Sequence, residues 1–308
     1  MSLHSAHTPI VSMSNATQPA ARVLSPALQG SIGELDVAGA GSIGYYADTV
    51  GAWPAVVLIH SVNAAASACE MRPLYDALRG RRRVFALDLP GFGRSERGDR
   101  AYTPALYARA IERFVVDVAS PQGEPVDAVA LSLSSEFLAR AALQSPRLFR
   151  SLTLLSPTGF SMRQGGVAAL GARKRIAHLP VVSDVVFRLL ATERSVRHFL
   201  QKSFAGPVDE GLVRYALESA AMPGAKHAPM AFLSGALFTP NAARALYAEL
   251  AVPTTVIYDE DAHTTFERLD DTSRANPRIA RERVGPSRGM AHFEQTARVL
   301  ELIERAGT

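Results

Sequence analysis

The feature that most limits how this chain can fold is a rhythm of short, unbroken apolar runs, each ended by small or turn-forming residues and followed by a helical pattern. Ala55–Ile59, Arg83–Leu87, Val126–Leu131, Ser151–Leu155 and Val252–Tyr258 are such runs, and none alternates apolar with polar residues. A strand without alternation has no face to give to water, so it belongs in a parallel sheet covered by helices on both sides. The segments between runs carry helical periodicity, as in Thr103–Val118 with Pro104 in the first turn. Repeated strand, loop and helix imply right-handed βαβ units. The fold class is therefore α/β, with a mostly parallel central sheet flanked by helices. A hairpin signal at Gly33–Tyr46, a weak strand near Ile279–Val284 and a final helix over Gln295–Arg305 complete the pattern.

The rhythm stops near Phe160. From there to Glu249 only helical patterns occur, at Pro180–Leu190, Glu193–Phe204 and Asp209–Ala221. An all-helical insertion before the last strands reads as a cap over a site. The first thirty residues are rich in Ser, Ala, Thr and Pro and lack a basic start followed by an apolar stretch, so they read as a flexible tail and not as a signal peptide. The expected division is a tail at 1–30, a core from 31–159 and 250–308, and a cap at 160–249. Ser67, followed three residues later by Glu70, predicts a capping box for a helix reaching Leu78.

Of the 308 residues, 20% are charged and the net charge is only +4, with the arginines scattered. That argues for solubility and against a nucleic-acid partner. Arg79 with Arg81, Arg82 and Arg83, and Arg173 with Lys174 and Arg175, read as solvated turns. The single cysteine, Cys69, excludes an intramolecular disulfide and indicates no cysteine metal site. No apolar run approaches the ~20 residues of a membrane span. A cytoplasmic protein is the default, and the expectation is a small-molecule substrate, no nucleic-acid or membrane partner, and no cofactor or metal. It sets no oligomeric state.

Ser132 sits where the apolar run Val126–Leu131 turns into a helical pattern, with small neighbours Ala130, Ser134 and Ser135. A sharp strand-to-helix turn bearing a nucleophile has that steric demand. A serine hydroxyl needs a base within hydrogen-bond reach, and the base needs a carboxylate to fix its tautomer. On a parallel sheet, groups just past the carboxyl ends of strands share one edge. Ser132, Asp259 or Asp261, and His292 all stand there, in the order Ser, Asp, His.

With these residues in place the chain resembles the α/β-hydrolase fold superfamily, in its capped serine-hydrolase type. The resemblance runs from about Gly33 to the C-terminus. It rests on His60-Ser61-Val62 after an apolar run, Asp88-Leu89-Pro90-Gly91-Phe92-Gly93-Arg94-Ser95, the turn at Ser132, the acidic loop after Tyr258, and Gly289-Met290-Ala291-His292-Phe293-Glu294. It implies Ser132 as nucleophile, His292 as general base, and backbone amides of Val62 and Leu133 as oxyanion donors. His60 is implied to support the oxyanion loop without moving the proton. Asp261 is preferred to Asp259 as the acid because it lies farther out from the strand; an Asx turn is the expected role of the other. The sequence departs from the family pattern at Ala130 and Ser134, at Ser61, and in Tyr258-Asp259-Glu260-Asp261, where glycines are usual.

The activity implied is hydrolysis of an ester or related carbonyl bond in a small, largely apolar substrate, with a C–C bond hydrolase also open. A serine at the turn argues against the dehalogenases and epoxide hydrolases of the superfamily, which use aspartate there. The rival readings are an acyltransferase or cofactor-free lyase on the same scaffold, and a non-catalytic accessory protein keeping the fold.

Overall fold

Val126–Leu131 forms strand β5, buried at every position. Its side chains alternate between two cores: Ala128 and Ala130 pack on one face of the sheet, Val129 and Leu131 on the other. The same division splits Val57 and Ile59 from Val56 and Leu58 in β3 (Ala52–Ile59), and Phe85 and Leu87 from Val84 and Ala86 in β4 (Arg82–Leu87). Period-two alternation of strand side chains thus feeds two apolar layers, which is why these sequences show no polar face.

The computed structural model describes residues 24–162 and 180–306. Eight strands form one sheet in the order β1-β2-β4-β3-β5-β6-β7-β8. The hairpin β1 (Ser31–Val37) and β2 (Gly41–Asp48) is the antiparallel edge, while β3, β4 and β5 continue in parallel into β6 (Phe149–Leu155), β7 (Thr254–Tyr258) and β8 (Ile279–Arg283). On one face lie α2 (Pro104–Phe114), capped by the Thr103 side chain at Leu106 N, and α3 (Ser134–Gln144). On the other lie α1 (Arg72–Leu78) and, after the remaining helices, the C-terminal α11 (Thr296–Arg305), which buries Val299, Leu302 and Ile303.

Between β6 and β7 the described elements are all helical: α4 (Pro180–Leu190), α5 (Glu193–Lys202), α6 (Glu210–Ala220), α7 (His227–Leu233), the short α8 (Ala242–Ala245), and a single 3-10 turn. Glu136 of α3 ties this insertion to the sheet. Its buried carboxylate accepts from Thr158 Oγ1 at 2.5 Å and from Thr239 N at 2.7 Å. The basic cluster Arg173, Lys174 and Arg175 lies outside the described residues, as do residues 1–23 of the expected tail. In the described part of that stretch Leu24 and Leu28 are buried in the same apolar cluster as Tyr46, Leu74 and Tyr75.

The predicted capping box does not form. Ser67 makes no side-chain cap; residues Ala68–Met71 wind as a 3-10 turn before α1 begins at Arg72. Glu70 instead turns inward, where the loop after β3 offers its carboxylate buried donors that a cap at the surface lacks.

Candidate active site

Because β5 to β8 run parallel and adjacent, their carboxyl ends form one edge of the sheet. Ser132 follows β5 directly, Asp261 follows β7 by three residues, and His292 lies in the short helix α10 (Ala291–Glu294) beyond β8. All three candidates therefore stand at the same edge.

Ser132 adopts φ +56°, in the left-handed region that L residues avoid. The strain is held by its surroundings. Ser132 N donates to Leu155 O at 2.8 Å, extending the β5–β6 ladder one step past the strand. Ser134 Oγ donates to His60 O at 2.5 Å, and Ser135 Oγ to Ala130 O at 3.3 Å. The serine at position 134, where the family pattern has glycine, thus fastens the turn to the neighbouring loop. A helix-cap serine would not need this backbone; the geometry is that of a sharp strand-to-helix elbow.

His60 is fully buried and its tautomer follows from its partners. Leu89 N donates to Nε2 at 2.9 Å, so the ring proton is on Nδ1, which faces Ser61 O at 2.6 Å. Burial pulls its pKa down to about 4. Phe92 packs edge-on against the same ring and is buried, so it is core here. The neutral form of His60 is favoured in the fold, so this group stabilises fully above its unfolded pKa of ~6.5, and the contribution is lost as pH falls through about 4. Asp88, raised to about 6 by burial, acts in the opposite sense over the overlapping range. Imidazole nitrogen shifts in an NMR titration separate the two: the His60 ring is expected to stay neutral until near pH 4, and a midpoint near 6.5 would contradict its burial.

Ser61 does not have positive φ, so the backbone at this position makes no demand for the usual glycine. The Ser61–Val62–Asn63 segment is pinned at several points. Ser61 N donates to Glu70 Oε2 at 2.8 Å, Asn63 Nδ2 to Glu70 Oε1 at 2.7 Å, and Ala65 N to Asn63 Oδ1 at 2.8 Å. Neither Val62 N nor Leu133 N donates to another described residue. Both are buried residues at the sheet edge.

The two aspartates differ clearly. Asp259 pairs with Arg283 Nε at 2.7 Å and accepts from Ser287 N at 2.9 Å. It lies beside an open groove of about 550 Å³ lined by Glu260, Arg283, Pro286 and Arg288, which includes none of Ser132, Asp261 or His292. Asp261 uses Oδ1 for the amides of His263 at 2.7 Å and Thr264 at 3.2 Å, an Asx-type turn, and the nearby Ser156 side chain partly offsets the effect of its burial. The turn expected of the unused aspartate is therefore made by the preferred one. Its second oxygen nevertheless faces the loop that carries the histidine: a Cβ built on Gly289 would stand 2.8 Å from Asp261 Oδ2. Burial raises the Asp261 pKa above the ordinary carboxylate range.

His292 is fully buried. Its Nε2 lies 2.7 Å from Glu70 O, a pure acceptor, so Nε2 carries the proton and the lone pair is on Nδ1. Nδ1 is buried and has no hydrogen-bond partner among the described residues. Burial lowers the pKa to about 4. Neither Ser132 Oγ nor Asp261 hydrogen-bonds to His292 in this arrangement. The edge is shared, but the three groups are not joined.

Ser156 was not singled out from sequence. It follows β6, has φ +43°, donates its amide to Ile257 O at 2.9 Å, and its side chain lies close enough to Asp261 to influence its titration. Its only sequence signal is its place after an apolar run. His263 is exposed. Among the apolar residues of the helical insertion, Phe187, Phe204 and Leu237 are buried while Phe199 and Phe238 are exposed.

The sequence profile of the Alpha/beta hydrolase family matches residues 56–302. No curated protein sequence matches the chain. Solved structures with similar folds include a probable hydrolytic enzyme from Pseudomonas aeruginosa PAO1, with a TM-score of 0.69, 16% identity, and coverage of 91% of this chain and 95% of that one. A thermophilic esterase from Thermogutta terrifontis gives a TM-score of 0.66 at 17% identity over 91% of this chain and 100% of that one. A meta-cleavage product hydrolase from Pseudomonas fluorescens IP01 gives 0.64 at 19% identity over 89% and 97%. At these identities the likeness is one of fold. No helix among the described residues is long and apolar enough to cross a membrane.

Proposed function

Since the chain belongs to the alpha/beta hydrolase family, we propose that it is a serine hydrolase acting on an ester or related carbonyl bond of a small, largely apolar substrate. The observation that carries this reading is the left-handed backbone at Ser132, a strained serine at the tip of a buried strand. Strain of this kind costs ~1–3 kcal/mol and persists where the surroundings enforce it, which a mere cap would not require.

In the proposed reaction Ser132 attacks the carbonyl carbon, His292 takes the hydroxyl proton and returns it to the leaving group, and Asp261 orients His292. The amides of Val62 and Leu133 receive the developing oxyanion, and water then releases the acyl group from Ser132. For this the imidazole leaves the Glu70 carbonyl and turns so that one nitrogen meets Asp261 and the other Ser132. Catalytic hydrogen bonds are commonly loose before substrate binds. Neutral His292, favoured by its burial, is the form able to accept a proton. The core-and-cap division, with the helices of 160–249 closing over this edge, belongs to the same proposal.

The test is covalent. A fluorophosphonate is expected to add to Ser132, as mapped by peptide mass spectrometry, and not to react with the His292→Ala protein. An adduct elsewhere, or none under conditions that label an ordinary esterase, would instead favour an accessory protein that keeps the fold.

A further inference from the structure

Glu70 is a carboxylate in a place where a carboxylate is costly. It is 3% exposed, and among the described residues no lysine or arginine pairs with it. Burial pushes its pKa upward, and the neighbouring charge of Asp88 pushes the same way. Burying an unpaired carboxylate costs several kcal/mol unless hydrogen bonds replace its water. A residue serving packing alone would be better as methionine or leucine.

What Glu70 holds is specific. Oε2 accepts from Ser61 N at 2.8 Å, and Oε1 accepts from Asn63 Nδ2 at 2.7 Å. Those residues flank Val62 on either side. The Asn63 amide also reaches Ser61 Oγ at 3.0 Å, closing a ring of bonds around the same segment. His60 Nδ1 fixes the Ser61 carbonyl, and Ala65 N fixes the Asn63 side chain by donating to Oδ1. The peptide amide of Val62, which donates to no described residue, is therefore held between two residues clamped to one carboxylate. Through its own backbone oxygen Glu70 also holds His292 Nε2 at 2.7 Å.

We infer that Glu70 is a positioning residue, whose carboxylate clamps the Ser61–Asn63 segment so that the Val62 amide points at the oxyanion formed on attack by Ser132. The inference rests on the serine-hydrolase reading above. Glu70 does not touch the substrate; it acts through Ser61 and Asn63. Oxyanion donors are effective only when they are aimed in advance at where charge develops, and losing one costs about 10²–10³ in kcat. The buried carboxylate constrains this loop from outside it, through Ser61 N and Asn63 Nδ2.

The experiment measures the rate and end-point of labelling by a fluorophosphonate, with kcat and KM on p-nitrophenyl butyrate, for wild type, Glu70→Ala, Glu70→Gln and Asn63→Ala. In Glu70→Ala the labelling rate and kcat are expected to fall about 100-fold with KM little changed, while labelling still ends at one adduct per chain. Glu70→Gln, which keeps an acceptor for Ser61 N, is expected to recover most of the rate. A purely structural residue would behave differently: the end-point would fall with the folded fraction, and the molecules that label would do so at the wild-type rate. That result, or an unchanged rate in Glu70→Ala, overturns the inference. Should Glu70→Ala fail to fold, Asn63→Ala removes half of the clamp and is expected to slow labelling about tenfold; an unchanged rate there overturns it equally. Absence of any adduct on wild-type Ser132 would overturn the hydrolase reading, and this inference with it, and is distinguished by failing before any variant is compared.

Discussion

Ser132→Gly is expected to melt at a higher temperature than Ser132→Ala while both lose turnover. At φ +56° an alanine keeps the strain of the left-handed backbone, and a glycine does not. The relief is worth ~1–3 kcal/mol, reduced by the ~0.4–1 kcal/mol of extra freedom that glycine gives the unfolded chain. A net gain of about 1 kcal/mol over the alanine variant follows. Removing the nucleophile of a serine hydrolase costs on the order of 10⁶ in kcat. Thermal melts and turnover of a nitrophenyl ester check both halves. Equal melting temperatures would mean that the bend is unstrained, and retained turnover would mean that Ser132 is not the nucleophile.

At the other end of the same strand the balance reverses. Asp127, the second residue of β5, is 1% exposed. It accepts from Arg82 Nη2 at 2.8 Å, Arg150 Nε at 2.8 Å and Ser151 Oγ at 2.6 Å, with Arg150 Nη2 as a further donor. Arg82 also donates from Nε to Pro54 O at 2.9 Å. Asp127→Ala leaves two guanidinium groups facing each other with no carboxylate between them. Breaking a buried pair from one side costs ~3–5 kcal/mol, because the remaining charge is left uncompensated. In a protein of this size that corresponds to a fall of roughly 5–8 °C in Tm. Because Asp127 is at the amino end of the strand and Ser132 beyond its carboxyl end, kcat at a temperature where both proteins are folded is expected to match wild type. A Tm within about 2 °C of wild type would show that the network is worth no more than a surface pair.

These two residues also show how far the chain could be read before it was folded. The apolar run 126–131 announces a doubly covered strand, and its ending in Leu131-Ser132-Leu133 announces the turn, because both depend on local composition. Asp127 within that run looks like an interruption. Only the parallel register, which brings Asp127 level with Ser151 of β6 and places Arg82 and Arg150 beside it, turns it into the hub of an ion network. Glu70 is a similar case. Three residues after a serine it reads as a helix cap, yet the loop directly after β3 takes its carboxylate instead of the helix. Ser156 is marked only by its place after an apolar run, since its role comes from a backbone angle and from a neighbour about one hundred residues away.

By itself the sequence determined the two-sided sheet, the order of strands and helices, and which residues arrive at the carboxyl edge, since these follow from hydrophobic periodicity and from the rule that parallel strands end together. The tertiary structure alone decided the state of those residues: His292 turned onto the Glu70 carbonyl, Asp261 folded into its own turn while facing Gly289, and the Val62 amide left without an acceptor among the described residues. Placement at an edge is a property of strand ends, which local pattern encodes. Which donor meets which acceptor depends on ångström-scale approach between segments far apart in the chain, and no local pattern encodes that.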